Sequence, residues 1–474
     1  MFSSLERKVE EVQNYFTKHR HYISSLTNTR SHMIICHSCP MQWPCQTLLN
    51  GIVLQFVFGL LTLRTNVGLT ALEWIGNKAK TFLSFAAVGS EFVFGISFKD
   101  HLFVFQVMPI LVFLGSVIAM LFYSGFMHWL ICNIGFLMQH TMGTSPTESM
   151  AAAGNIFLGQ TETVLLIKPY ISALTLSEIH ALMTGGFASI SGSILGAFIA
   201  LVAAHLLTAS LMSAPASLAI AKTFWPETEV PASFKDNDLK IEKGESKSLL
   251  DAISDGAMSS VGVVTSIVVN IISFLALLAF CDAALSWLGE MFDCPQLSFG
   301  LICSYVFMPI SFMMGVSWED SFVVAELLGV KTFLNEFVAY QKLSVLIMKR
   351  KEGGPEYVDN VKQYISVHSE TIATYALCGF SNFASLGMTV GALTALAPNR
   401  QSDFSSCGIR ALVAGSFSCF MTACICICVI VCFIYSVKLQ GSWNVTLGEG
   451  FTLSSLRGCC VLTPSPHFNC SSIL

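Results

Sequence analysis

Of the 474 residues, 53% are hydrophobic and only 12% charged, and the mean hydropathy is +0.65. Soluble domains carry about 25% charged residues, so this composition excludes a soluble enzyme and defines an integral membrane protein. The net charge of -5 is modest and says little about partners, and no basic tract suggests nucleic acid.

Residues 1–47 hold no apolar run long enough to span and no signal-peptide pattern, and are expected to form a cytosolic N-terminal segment. The first span is expected at 48–63, closed by Arg64. In 71–95, Trp74, Phe82, Phe85 and Phe92 mix with Lys78 and Lys80, which suits a helix lying in the membrane interface. A second span follows at 103–126, and 127–138 is expected at the surface. Together, 48–142 read as scaffold helices.

The stretch Gly154-Asn155-Ile156-Phe157-Leu158-Gly159-Gln160-Thr161-Glu162 places two amides, a hydroxyl and a carboxylate between apolar segments. Such polarity is tolerated at membrane depth only where protein or a water-filled cavity receives it. Ser145, Thr147 and Glu148 offer helix-start chemistry. A short helix, a break at 157–159 and a second short helix ending at Ile167 would form a re-entrant hairpin. An interrupted helix is expected at 178–204, and 143–225 read as one unit. The hydrophilic loop 226–257 divides the chain.

The second half repeats the order. Spans are expected at 261–288 and 297–314, within scaffold 258–316. The segment 318–340 carries Glu319, Asp320, Glu326, Lys331 and Glu336, too polar for an ordinary span, and reads as a second hairpin. A helix at 371–397 is interrupted at 379–385, and 317–397 read as the second unit. A last span at 411–437, within 398–437, precedes a tail at 438–474. Paired interrupted segments in corresponding halves point to a secondary transporter with its site at the repeat interface. The fold class is therefore an all-α polytopic membrane protein with two re-entrant hairpins, two interrupted helices and about seven spans. Sequons at Asn444 and Asn469, beside Cys459, Cys460 and Cys470, mark an extracytoplasmic, glycosylated C-terminus. Most of the 17 cysteines lie in apolar runs and act as small hydrophobes. Cys36, Cys39 and Cys45 lack the second pair that a zinc site needs.

Glu162 and Glu336 are the candidate carboxylates, each at a hairpin break beside an amide, and a sugar would supply the hydroxyls they need. Gln160 and Asn382 offer donors and acceptors for a nucleobase edge, and Phe380 an apolar wall. Unwound backbone with Asn155, Leu158, Thr161, Ser189 and Ile190 would form an oxygen cage for sodium. No GKT or GKS loop, HExxH or GxSxG supports an enzyme or a cofactor.

These motifs, with Lys331-Thr332-Phe333-Leu334-Asn335-Glu336-Phe337-Val338-Ala339-Tyr340 and Ala376-Leu377-Cys378-Gly379-Phe380-Ser381-Asn382-Phe383, resemble the sodium-coupled concentrative nucleoside transporters from about residue 46 onward, most closely the mammalian broad-selectivity member. The resemblance implies sodium-driven symport of purine and pyrimidine nucleosides, such as uridine, cytidine, adenosine and inosine. It implies a homotrimer in the plasma membrane, with protons as a further candidate coupling ion. By motif, nucleoside would meet Gln160, Thr161, Glu162, Ile194, Glu336, Phe380, Asn382 and Ser385, and sodium Asn155, Leu158, Thr161, Ser189 and Ile190. Thr163-Val164 depart from the family's usual Ala or Ser followed by Pro, and Lys168 stands where Arg is usual. Residue 48 already resembles the fifth helix of mammalian members. A truncated chain that assembles with or modulates full-length subunits, or is retained in the endoplasmic reticulum, is the alternative expectation.

Overall fold

The computed structural model describes residues 43–95, 105, 108–190, 192–229, 231, 247–292, 296–358 and 361–440. The expected glycosylation sites, the cysteines of the C-terminal tail, Cys36 and Cys39 lie outside them, as does half of the hydrophilic loop.

Helix α1 (Trp43–Arg64) is the first span and begins inside the segment expected to be a cytosolic extension. The interfacial stretch is two helices, α2 (Asn66–Ser84) and α3 (Ala86–Phe94), which leave Trp74, Phe85 and Phe92 exposed. Helix α4 (Met108–Tyr123) is followed across Ser124-Gly125 by α5 (Phe126–Met142), bent from it by 80°. The stretch 127–138, expected at the surface, is part of a helix steeply bent from the span before it, with one face covered by protein. Met127, Ile131, Gly135, Met138 and Met142 recur at helical spacing and are buried in the core, and a Cβ on Gly135 would sit 3.1 Å from Met150 Cα, so the stripe packs against the first hairpin.

That hairpin is α6 (Pro146–Gly154), a break at 155–159 and α7 (Gln160–Leu166). After a 3-10 turn at Lys168–Ala173, α8 (Leu176–Ala188) stops, and α9 (Gly192–Phe224) resumes after a break. Helix α9 runs well past the expected end at 204, because His205 does not face lipid: its Nδ1 lies 3.3 Å from the Tyr375 hydroxyl, and Leu206, Ala209 and Met212 continue the buried face.

Helix α10 (Leu249–Glu290) begins inside the expected loop, at an N-cap supplied by Ser248, whose side chain accepts from Asp251 N–H. It crosses α4 closely, since a Cβ on Gly256 would lie 2.6 Å from Gly115 O. Helix α11 (Phe299–Met313) turns by 119° into α12 (Trp318–Phe333), and a break at 334–335 leads into α13 (Glu336–Glu352). The second arm thus extends beyond the expected end at Tyr340. Lys349, Arg350 and Lys351 sit in its last turn, and Gly353 closes it at φ 73°. Basic residues there offset the helix dipole and a left-handed glycine ends it. A short pairing of β1 (Tyr357–Val358) with β2 (Val361–Lys362) leads to α14 (Val367–Leu377), a break, and α15 (Phe383–Leu396). The last helix, α16 (Gln401–Gln440), begins ten residues before the span expected at 411.

By length and apolarity, three helices among the described residues can cross a membrane, or up to five if each bent pair is one span. The remaining expected spans are the interrupted pairs α8–α9 and α14–α15, whose breaks place polar backbone at the centre of the fold.

The feet of the two hairpins are built alike. At the first, Ser145 and Thr147 hydroxyls each donate to Glu178 Oε1 at 2.6 Å. Glu148 accepts from Ser145 N–H, and Glu178 from Thr175 N–H. The N-termini of α6 and α8 are thus capped by their own carboxylates and stitched to each other. At the second, Asp320 of α12 accepts from the backbone and hydroxyl of Ser366, the N-cap of α14. Each foot buries a lysine: Lys222 pairs with Glu148 at 2.7 Å and Glu227 at 3.3 Å, and Lys362 pairs with Asp320 at 2.6 Å. Burial alone would depress the Lys362 ammonium, but its hydrogen bond to Asp320 prevails and holds it above the ordinary lysine range.

Lys222→Met is expected to lower the stability of the purified protein by roughly 3–5 kcal/mol, because Glu148 would stay buried without its partner. Thermal unfolding in detergent checks this.

Candidate functional site

The two helix breaks meet at the centre of the molecule. Phe380 N–H donates to Ser189 O at 3.2 Å, so the break of α14–α15 lies directly on the break of α8–α9. The approach needs Gly379, at φ 110°, where a Cβ would lie 2.8 Å from Ala188 O, Phe187 O and Cys419 Sγ. A side chain here would be strained in its backbone and would collide with the facing carbonyls.

Around this crossing the second half places Glu336, Phe380, Asn382 and Ser385, all buried. Asn382 caps α15: its Oδ1 accepts Ser385 N–H at 2.7 Å, and its Nδ2 donates to Glu336 Oε2 at 2.8 Å. Both faces of the amide are used, which fixes its orientation. Helix α13 is capped separately by Asn335, whose Oδ1 accepts Val338 N–H at 3.0 Å. The Glu336 side chain is therefore not needed to cap its own helix, and among the described residues the side chain that holds its carboxylate is Asn382.

The first half differs. Helix α7 starts after Gly159, which has no side chain to act as a cap, and Glu162 Oε2 accepts Gly159 N–H at 3.0 Å. Glu162 is thus bonded within its own hairpin, whereas Glu336 reaches across to the neighbouring helix. Gln160 is buried against α8, where a Cβ on Gly186 would lie 2.9 Å from Gln160 Cβ, and among the described residues its Oε1 has no hydrogen-bond partner. The side chains of Thr161 and Ile194 lie outside the described residues.

Of the residues expected for sodium, Asn155 and Leu158 lie in the first hairpin's break and Thr161 just after it, while Ser189 and Ile190 lie where α8 ends. Asn155 is 2% exposed, and neither its Oδ1 nor its Nδ2 has a hydrogen-bond partner among the described residues. It faces α8, since a Cβ on Gly185 would lie 2.7 Å from its Nδ2. Leu158 and Ile190 are buried, and Ser189 Oγ donates to Gly185 O at 2.8 Å. Ser210 of α9 holds the break through Ile156 O at 2.8 Å. A buried amide oxygen without a donor, beside irregular backbone, has the chemistry of a hard-cation ligand.

Sequence reasoning assigns no role to three residues that hold the second break. Lys331 Nζ donates to Ala376 O at 3.0 Å and Cys378 O at 3.3 Å. Tyr340 hydroxyl donates to Thr374 O at 2.7 Å, and Cys419 Sγ to Cys378 O at 2.7 Å. The carbonyls released at the end of α14 are thereby satisfied. A lysine inside a hairpin signals buried function, but its acceptors 45 and 47 residues away are not readable from the chain alone.

The family model for the "Na+ dependent nucleoside transporter C-terminus" matches residues 205–426, the corresponding N-terminus model matches 32–97, and a "Nucleoside recognition" model matches 104–205. The chain is 52% identical to "Solute carrier family 28 member 3" of Eptatretus stoutii over 92% of its own length and 68% of the relative's. It is 52% identical to the Homo sapiens protein of that name over 89% and 66%. With "Sodium/nucleoside cotransporter 1" of Rattus norvegicus it shares 52% identity over 79% of the chain and 58% of the relative. It therefore spans about two thirds, or somewhat less, of the curated relatives it matches. Among solved structures, CNTnw in an inward-facing substrate-bound state matches with TM-score 0.72 and 32% identity, over 80% of this chain and 91% of that one. A CNTnw variant in an intermediate state matches with TM-score 0.75 and 31% identity, over 83% and 95%. On these matches, spread over both halves and both hairpins, the chain belongs to the sodium-dependent nucleoside transporter family and is a membrane transporter, not an enzyme.

Proposed function

We propose that the chain carries purine and pyrimidine nucleosides into the cell by sodium-coupled symport. The observation that carries the reading is the Glu336–Asn382 pair, buried where the two helix breaks cross. A carboxylate oriented by one amide retains acceptor capacity for ribose hydroxyls, and burial makes those bonds worth more than in water. Phe380 and Ser385 border the same break, and Gln160, Thr161, Glu162 and Ile194 complete the nucleoside site from the first half. Sodium is carried at Asn155, Leu158, Thr161, Ser189 and Ile190, where the Asn155 oxygen, without a hydrogen-bond partner among the described residues, supports a cation ligand.

Alternating access follows from differential binding. Sodium orders the first hairpin, nucleoside closes the site between the halves, and the two hairpin units move together against the scaffold of α1–α5, α10 and α11. Assembly as a homotrimer in the plasma membrane, glycosylation of the C-terminal tail, and protons as a further coupling ion belong to this proposal. Uridine uptake by cells expressing this chain alone, measured with and without sodium, tests it. Sodium-stimulated uptake supports transport, and a surface-exposed chain without it supports instead a partner that assembles with or modulates other subunits.

Asn155→Ala is expected to raise the sodium concentration for half-maximal uptake at least about tenfold, since a ligand worth ~1.4 kcal/mol is a factor of ten. Sodium titration of uptake at fixed uridine reads this. Gly159 leaves room beside the base, and the Gln160 amide can present donor or acceptor. Uridine and inosine are therefore expected to compete for one saturable component, and exclusion of either class would contradict breadth.

A further inference from the structure

Lys331 is 2% exposed, yet among the described residues no carboxylate oxygen lies within 4.0 Å of its ammonium, and Glu336 feels its charge only at longer range. Its bonds go instead to Ala376 O and Cys378 O, the carbonyls freed where α14 ends. A cation among backbone carbonyls at the C-terminus of a broken half-helix is favoured by the helix dipole, and it is the arrangement from which such folds build cation sites.

The first half has the same parts without the lysine. Helix α8 opens at a Thr175 cap and ends at Ser189, and α14 opens at a Ser366 cap and ends at Cys378. A hairpin break lies beside each: 155–159 beside α8, and 334–335 beside α14. Beside α8 the hairpin offers Asn155, whose amide oxygen has no donor among the described residues. Beside α14 it offers an ammonium already bonded. One half presents an acceptor that waits for a cation, and the other carries its cation covalently.

We infer that Lys331 is a built-in cation, occupying in the second half the place that the transported cation takes in the first. Its task is positioning. It fixes the end of α14, hence the 378–382 break, and hence the Asn382 amide that reaches Glu336. The second half of the site is then formed before any ion arrives, and sodium-dependent ordering is confined to the first half, its hairpin and the end of α8. The comparison with the transported cation rests on the proposed symport; the role of Lys331 in fixing the break does not.

The test is hydrogen exchange, read by mass spectrometry on purified protein in lipid nanodiscs, over the amides of 376–382, alongside uridine uptake in cells. In the wild type this segment is expected to exchange equally with and without sodium, while 155–162 is protected by sodium. Lys331→Met should lose protection at 376–382 at least tenfold and lose uptake at least tenfold. Lys331→Ala should recover at least threefold of both in millimolar methylammonium, and none in tetramethylammonium, which is too large and lacks N–H donors. Where Lys331→Met does not reach the membrane, Lys331→Gln, which keeps N–H donors without charge, is expected to show the same loss. Protection within twofold of wild type in Lys331→Met or Lys331→Gln, or no recovery of Lys331→Ala by methylammonium, overturns the inference. A wild type without sodium-dependent uptake whose 376–382 exchange still depends on Lys331 removes the symport reading and supports the fixed cation.

Discussion

Glu336→Gln is expected to lower uridine uptake by one to two orders of magnitude while surface expression stays near wild type. The fold tolerates the change because α13 is capped by Asn335 and not by Glu336, and a glutamine can still accept from Asn382. The charge-assisted bonds to substrate hydroxyls are what disappears, each worth roughly 1.5–3 kcal/mol. Loss should appear in KM and kcat together if Glu336 binds nucleoside more tightly as the site closes. Initial-rate uptake normalised to biotin-labelled surface protein checks it, and unchanged kinetics would remove Glu336 from the site.

Gly379→Ala is expected to be at least as damaging, for a different reason. At φ 110°, with three atoms 2.8 Å from where its methyl would sit, alanine must strain its own backbone and push the break of α14–α15 off that of α8–α9. Backbone strain of this kind costs about 1–3 kcal/mol before the collision is counted. The Phe380–Ser189 bond and the Asn382–Glu336 pair both depend on that approach. Both thermal stability and uptake should fall, whereas Glu336→Gln should affect uptake alone. Differential thermal unfolding of the two variants separates the effects.

The hairpins and interrupted helices are legible in the sequence because polar residues are anomalous in apolar surroundings. Asn155, Glu162, Glu336 and Asn382 stand out for that reason: Asn155 and Asn382 lie in the breaks, and Glu162 and Glu336 in the first turns of the arms that follow. Helix ends are less legible. Helix α9 runs to Phe224 because His205 finds Tyr375, and α13 runs to Glu352 because a basic last turn and Gly353 stop it there; neither signal is apolarity. The stripe of α5 does not reveal that it packs on the first hairpin, because a helix that faces protein and one that faces a membrane interface can carry the same apolar period. The similar motifs around Glu162 and Glu336 suggest two carboxylates facing each other across the site. The structure shows that the two are held differently, Glu162 bonded to Gly159 and Glu336 to Asn382, a difference set by which residue caps each second arm. Lys331 is visible as a charge in the wrong solvent, but its carbonyl partners follow only from tertiary packing.

The central claim is coupling: one site, shared by two halves, through which a sodium gradient drives a nucleoside. Purified chain reconstituted in proteoliposomes, with sodium outside and none inside, measures it directly through accumulation of labelled uridine. The account predicts transient accumulation above equilibrium that collapses when sodium is equalised and is absent in Glu336→Gln. Uridine that only equilibrates, at a rate indifferent to the sodium gradient, would contradict it.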